Sequence, residues 1–304
     1  MRAPCRGVSV NKSSADSSLF DNGVSREKNE LSLGKGSVDA KITVLSGEKP
    51  NKKNPVIVLI PGGPGLSSRT WGDISYLRKT HDVVLVDPPG TNGLAEEKKY
   101  SFAEVVTAIE IGLGKLSSRL ALVGHSFGGF YAISLAARGQ LSLSHLVIVS
   151  CPLSVNSHSS VNQQALELPG IAAAIQTFQA DPSNANLSAW LQVLAPLYFP
   201  PERLEAGKKM LREDKLSAIA FLQIYTEVFS SEHAGTLLEQ FSFQKIPKFM
   251  IAGALDKLLL PQMMTKDAEE TGCKLGFISG AGHFPNFDNP KDFAARLVPF
   301  IEAS

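Results

Sequence analysis

Gly124-His125-Ser126-Phe127-Gly128-Gly129 sets a serine in a glycine-rich turn, between an apolar run, Leu120–Val123, and a stretch with helical potential, Tyr131–Arg138. A strand passing straight into a helix across one serine leaves little room. The glycines permit the close approach while the serine projects from a strained turn. Its hydroxyl then lies near a helix N-terminus, whose unpaired N–H groups can receive developing negative charge. Spelling and context are those of a nucleophile elbow. The alternative for the same residues is a buried hydroxyl in a structural turn. A phosphate-binding loop is disfavoured, because neither GxxxxGKS/T nor a full GxGxxG is present.

A serine hydroxyl is a poor nucleophile until a base takes its proton. Of the six histidines, His283 lies in Ser279-Gly280-Ala281-Gly282-His283-Phe284-Pro285, directly after an apolar run. A loop there can carry the imidazole over the carboxyl edge of a sheet. His81, His145, His158 and His233 lack such a context and read as surface or core histidines. His125 is fixed by the elbow, and its side chain is expected to point elsewhere. The orienting acid is expected at Asp256, in Gly253-Ala254-Leu255-Asp256-Lys257 after another apolar run. It would accept the second imidazole N–H and stabilise the imidazolium. The alternative is a turn aspartate paired with Lys257. Asp288 is closer in sequence to His283 but sits beside the cap of the last helix. A tetrahedral intermediate needs N–H groups from two directions. Phe127 N–H is one candidate. Gly63 N–H, in Pro61-Gly62-Gly63-Pro64-Gly65, is the other, with Gly62 and Gly65 also eligible because the prolines cannot donate.

The elements that must position these groups alternate. Val56–Ile60 is a continuous apolar run suited to the centre of a parallel sheet. Val83–Val86, the elbow strand and Leu146–Cys151 repeat the pattern, with weaker edge strands expected between Leu31 and Gly47. Helices are expected near Trp71–Lys79 and over Ser101–Ser117, where Ser101 and Glu104 spell a capping box. The rhythm breaks after Pro152. From Leu153 to Gln244 the chain reads as helices, Gly170–Phe178, Leu187–Tyr198, Pro201–Glu213, Leu216–Phe229 and Ala234–Phe241, separated in part by Pro182, Pro196 and Pro200-Pro201. Strands return at Lys248–Gly253 and Cys273–Ile278. A last helix is expected from Pro290, capped by Asn289 with Asp292 at the third position. The fold class expected is α/β, a mostly parallel sheet covered by helices and carrying an inserted helical lid. The divisions are a flexible arm over 1–30, core over 31–152, lid over 153–245 and core over 246–304. Aromatic residues of the lid, Phe178, Trp190, Tyr198, Phe199, Phe221, Tyr225 and Phe229, are expected mostly in its own core, with a few lining a pocket.

At 304 residues, 43% hydrophobic and 19% charged, the chain has a globular composition. A net charge of +1 gives no argument for nucleic acid or an acidic membrane as partner. No run of about 20 apolar residues suggests a transmembrane segment. Cys5, Cys151 and Cys273 have neither metal spacing nor a disulfide framework, and the last two read as core. No cofactor and no metal are expected. The first 25 or so residues are polar and serine-rich. Arg2 and Arg6 lead into no apolar core, so a secretory signal is disfavoured. A cytoplasmic protein is expected, with a cleaved organelle signal as the alternative. Oligomeric state is not legible.

In Ser126, Asp256 and His283, taken in that chain order with the glycine loop upstream, the sequence resembles the α/β-hydrolase superfamily over about residues 31–303. Within it, the chain is similar to the lidded branch of proline iminopeptidases and related serine esterases. That resemblance implies that the three residues follow successive sheet strands and that Ile60–Gly65 forms the oxyanion loop. Two departures bear on specificity. The branch commonly has His-Gly-Gly-Pro-Gly where this chain has Pro61-Gly62-Gly63-Pro64-Gly65, and Asp-x-Arg-Gly where it has Asp87-Pro88-Pro89-Gly90. Relatives that open epoxides or remove halide use an aspartate where Ser126 stands. The function expected is therefore a serine hydrolase that transfers acyl groups to water, acting on small or medium carboxylic esters. The alternatives are an iminopeptidase-like aminopeptidase acting on short peptides, a carbon–carbon bond hydrolase, and a catalytically silent ligand-binding protein of the same fold. An aminopeptidase would need lid acids for the substrate ammonium, and Glu202, Glu205, Glu213, Glu227 and Glu232 are available.

Overall fold

The computed structural model describes residues 28–31, 39–94, 100–228 and 231–303. Most of the arm expected over 1–30 lies outside the described residues. Its last three positions join Leu31 in β1 (Lys28–Leu31). The other strands are β2 (Lys41–Leu45), β3 (Val56–Ile60), β4 (Val83–Asp87), β5 (Leu120–His125), β6 (Leu143–Val149), β7 (Lys248–Gly253) and β8 (Lys274–Ile278). They form one sheet in the order β1-β2-β4-β3-β5-β6-β7-β8. The β1–β2 and β2–β4 pairs are antiparallel and the remainder are parallel. Side chains of β3 alternate between two cores. Val58 and Ile60 face one, Ile57 and Leu59 the other. A parallel strand buried on both faces must be apolar throughout, which is why these runs stood out in the sequence.

Helices α1 (Ser75–Arg78), α2 (Phe102–Leu113) and α3 (Gly128–Arg138) connect the first strands. Between β6 and β7 the chain leaves the sheet for α4 (Val155–Leu166), α5 (Ile171–Ala180), α6 (Asn184–Tyr198), α7 (Leu204–Glu213), α8 (Ala218–Val228) and α9 (Ser231–Phe243). It returns through α10 (Pro261–Thr271), the short α11 (Pro285–Asp288) and α12 (Pro290–Glu302). This is the α/β architecture with an inserted helical region. The insertion has its own core of Phe178, Leu187, Leu191, Leu194 and Leu211. Leu258 and Phe284 of the sheet domain also belong to it, so insertion and sheet share one packed boundary.

Local differences from the sequence reading have local causes. The helix expected over Trp71–Lys79 is a 3₁₀ turn, Ser68–Trp71, followed by the single turn of α1. Pro196 does not separate helices but lies inside α6, in its last turn, on an exposed position. Helix α4 was not legible because Val155–Leu166 is polar and buries only Ser157 and His158. Helix α10 was legible in principle. Pro261 opens it and Gly272, at φ 61°, closes it in the left-handed conformation. Phe229 lies outside the described residues.

The capping box forms as spelled. Ser101 Oγ accepts from Glu104 N–H at 3.3 Å, and Ser101 N–H donates to the Glu104 carboxylate at 2.7 Å. Phe102 N–H, one residue on, donates to Glu227 of the insertion at 2.8 Å. Ser101→Ala should therefore lower stability by about 1 kcal/mol, seen as a lower denaturant midpoint with an unchanged slope.

Candidate active site

The elbow forms where β5 meets α3. Ser126 has φ 49°, a left-handed conformation rare for a residue with a side chain. Its N–H donates to Val149 O at 2.7 Å, tying the turn to β6. A methyl group on Gly128 would collide with the carbonyls of Ile60 and Pro61, so the glycine loop and the start of α3 touch backbone to backbone. Helix α3 thus begins at Gly128, a turn earlier than its apolar pattern, and the Phe127 N–H stands at its open N-terminus.

The structure brings Ser126, His283 and Asp256 together. His283 Nδ1 lies 2.8 Å from Asp256 Oδ2, and His283 Nε2 lies 3.1 Å from Ser126 Oγ. A carboxylate only accepts, so the proton sits on Nδ1 and Nε2 is left to accept from the serine hydroxyl. Asp256 is 2% exposed. Its other oxygen accepts from the N–H groups of Leu258 and Leu259, each at 2.9 Å. Ser126 itself is half-buried, while His283 is buried.

His283 is held on all sides. Its N–H donates to Tyr198 O at 2.7 Å, and the Tyr198 ring stacks on the imidazole with centroids 5.5 Å apart. Its carbonyl accepts from His125 Nε2 at 2.8 Å. A carbonyl cannot donate, so His125 carries its proton on Nε2. Burial, reinforced by repulsion from His283, pushes the His125 pKa down to about 3, which keeps it neutral. The His125 side chain thus braces the loop that carries His283. Gly282 N–H donates to Asp288 Oδ2 at 2.8 Å, and Asp288 Oδ1 faces Arg203 of the insertion at 3.9 Å. Asp288 is thus more than a neighbour of the last helix cap. Burial raises its carboxyl to about 6.

On the opposite side, Gly62 lies directly against the elbow. A Cβ there would stand 3.1 Å from Ser126 Cβ and 2.9 Å from His125 Nδ1. Gly63 has φ 122°, open only to glycine. The loop continues into Ser67, whose N–H and hydroxyl both donate to the buried carboxylate of Asp214. Neither Tyr198 nor Asp214 was singled out as a site residue in the sequence, since nothing in helical spacing distinguishes them from core and surface.

His81, His145 and His158 are buried, beside Glu302, Phe300 and Phe130 respectively. The side chains of His233 and Glu232 lie outside the described residues. Glu202, Glu205 and Glu213 are exposed, and the last two face Lys208 and Lys209. A cavity of about 550 Å³ is lined by Gly90, Asn184, Ser188, Arg212, Asp214 and Leu216 among others; Ser126 does not line it. Among the described residues no group of three His, Cys, Asp or Glu is placed to hold a metal ion, and no helix is long and apolar enough to cross a membrane.

Sheet order, elbow and helical insertion match a known class of protein. The profile of the alpha/beta hydrolase family fits residues 57–296, and the chain belongs to that family. Membership carries hydrolytic chemistry in general. The chain is 26% identical over 262 residues to RutD of Pseudomonas savastanoi pv. phaseolicola, provisionally named a carbamate hydrolase; the match spans 82% of this chain and 94% of the relative. Among solved structures it is similar to a hydrolase from Pseudomonas aeruginosa PA01, with a TM-score of 0.66 at 18% identity over 93% of this chain and 100% of the other. It is also similar to proline iminopeptidase of Mycobacterium smegmatis, with a TM-score of 0.62 at 17% identity over 90% of this chain and 98% of the other. At such identities these two share the fold, and no branch within the family is singled out.

Proposed function

We propose that the protein is a serine hydrolase that cleaves small or medium carboxylic esters through an acyl-enzyme. The observation that carries this reading is the continuous chain of hydrogen bonds from Ser126 Oγ through His283 to Asp256. In the proposed reaction His283 Nε2 takes the hydroxyl proton as Ser126 Oγ attacks the acyl carbonyl. The tetrahedral oxyanion is received by N–H groups at Phe127 and at Gly63 or Gly62. Asp256 stabilises the imidazolium, which returns the proton to the leaving alkoxide. Water then repeats the cycle and releases the acid. The helical insertion acts as a lid, since α6 supplies Tyr198 against the base.

Esters are favoured over N-terminal prolyl peptides because Glu202, Glu205 and Glu213 are exposed and Glu227 is engaged by Phe102 N–H. The similarity to RutD supports a second reading, hydrolysis of a carbamate through the same acyl chemistry.

The test is labelling by a fluorophosphonate. The native protein should label, and Ser126→Ala should not. A folded native protein that resists the probe sinks the reading in favour of a silent binding protein. Turnover of aminoacyl peptides without any of a panel of short esters would exchange esterase for peptidase.

A further inference from the structure

We propose that Asp214 of the helical insertion is a positioning residue for the glycine loop, acting through Ser67 to fix the N–H groups that face Ser126. The inference rests on the acyl-transfer reading above and adds to it a part played by the insertion.

Residues 65–68, which follow the candidate oxyanion donors, are fastened on two sides. On one side stands the segment after α7. Asp214 accepts the Ser67 hydroxyl, and its second oxygen accepts the Ser67 N–H at 3.1 Å. Ser217 N–H donates to Gly65 O at 2.8 Å, and Gly65 lies so close to Ser217 that a methyl group there would strike its carbonyl. On the other side stands the end of β4. Asp87 accepts from Ser68 N–H at 2.7 Å and from Asn92 Nδ2 at 2.8 Å. The two sides are joined, since Asn92 N–H donates to Lys215 O at 2.8 Å. Three residues of the insertion therefore fix the exit of a loop whose glycines have little stiffness of their own. Catalysis by oriented N–H groups depends on sub-ångström placement, and looseness at the loop's exit moves them.

The Asp214 arrangement suits a carboxylate rather than an acid, because both Ser67 groups are donors. The charged groups around it are Asp87 from β4, which opposes its ionisation, and Arg69 from the 3₁₀ turn, which favours it. Arg212, Glu213 and Lys215 flank it in the chain with exposed side chains. Burial outweighs these and raises the carboxyl to about 6. The sign follows. The folded state holds this proton more tightly than the unfolded chain, so the contribution to stability is full below the ordinary carboxylate range and is lost as pH rises through about 6. Ionised Asp214 thus costs the fold something at neutral pH while it orders the loop. An amide at the same position removes the charge without that cost.

The experiment measures the second-order rate of fluorophosphonate labelling from pH 5 to 8, with thermal midpoints, for wild type, Asp214→Asn, Ser67→Ala and the double variant. Each single change should slow labelling about tenfold at pH 8, a modest share of what one oxyanion donor is worth. The double variant should be slower by less than the product of the two single effects, because both changes break the Ser67 hydroxyl–Asp214 bond. The midpoint of Asp214→Asn at pH 8 should not fall. The ratio of wild-type to Asp214→Asn rates should shrink toward one below about pH 6, as wild-type Asp214 takes up its proton. Ser67→Ala keeps the test open should the amide fail to fold. Variants that label at the wild-type rate overturn the positioning role alone, as does a ratio that ignores pH. A wild type that does not label overturns the acyl-transfer reading and this role with it.

Discussion

Asp256→Asn is expected to lower turnover of an ester substrate by about 10⁴-fold while the protein stays folded. The size follows from the two hydrogen bonds on the far oxygen of Asp256. Leu258 and Leu259 both donate to it at 2.9 Å, so an amide must present its carbonyl oxygen there and its NH₂ to His283. An NH₂ group donates, and His283 Nδ1 then has to accept. The imidazole proton moves to Nε2, which aims a donor at Ser126 Oγ and removes the base. The shape of the site is retained and its proton is on the wrong nitrogen. Asp256→Ala should be impaired through a different route, because it leaves two turn N–H groups without an acceptor and loosens the loop. The measurement is kcat for an activated ester, with fluorophosphonate labelling as a substrate-independent check. A loss below about tenfold, equivalent to about 1.4 kcal/mol of barrier, would remove Asp256 from the mechanism.

The part of this site that was legible in the sequence is the part governed by local rules. Val56–Ile60, Leu120–Val123 and Phe249–Gly253 had to be apolar because parallel strands are covered on both faces, and the turns after them could be located from those runs. Ser126 and Asp256 each follow such a strand and His283 follows the more lightly buried edge strand β8, which made them candidates before any contact was known. What remained hidden depends on packing between distant segments. The carbonyl of Tyr198 receives the His283 N–H across 85 positions of chain, and Asp214 meets Ser67 across 147. No periodicity within α6 or after α7 records either partner. His125 lay in plain view beside Ser126, but its bracing of the His283 carbonyl needs the loop after β8 to arrive before it has meaning. Helix α4 was hidden for the opposite reason: its sequence is mostly polar, and of its apolar residues only Val161 and Ala165 pack against the cores.

Gly128→Ala should damage both the fold and the site, and Gly129→Ala should damage the fold in a way that can be repaired in part. The two glycines are neighbours at the start of α3, where an alanine would normally favour the helix by roughly 1 kcal/mol. Here each faces something. A Cβ on Gly128 runs into the carbonyls of Ile60 and Pro61, which belong to β3 and to the glycine loop. Backbone of a central strand cannot swing aside like a side chain, so the loop or the elbow must move, and relief costs roughly 1–3 kcal/mol. Because that displacement falls on the segment carrying Gly62 and Gly63, labelling of Ser126 should drop by more than the loss of stability accounts for. A Cβ on Gly129 instead meets Cys151 Sγ at 2.6 Å. Cys151 Cβ stands at 2.9 Å and Ile148 Cγ2 at 3.3 Å. Cys151→Ala in the same chain removes the nearest of these atoms and keeps the Cβ, so it should restore part of the lost thermal midpoint. The same second change should do nothing for Gly128→Ala. The double-mutant comparison reads the coupling directly. If Cys151→Ala rescued Gly128→Ala as well as Gly129→Ala, the close approach of β3 to α3 would not be what the glycine at 128 is for, and rescue of neither would remove Cys151 as the obstacle at Gly129.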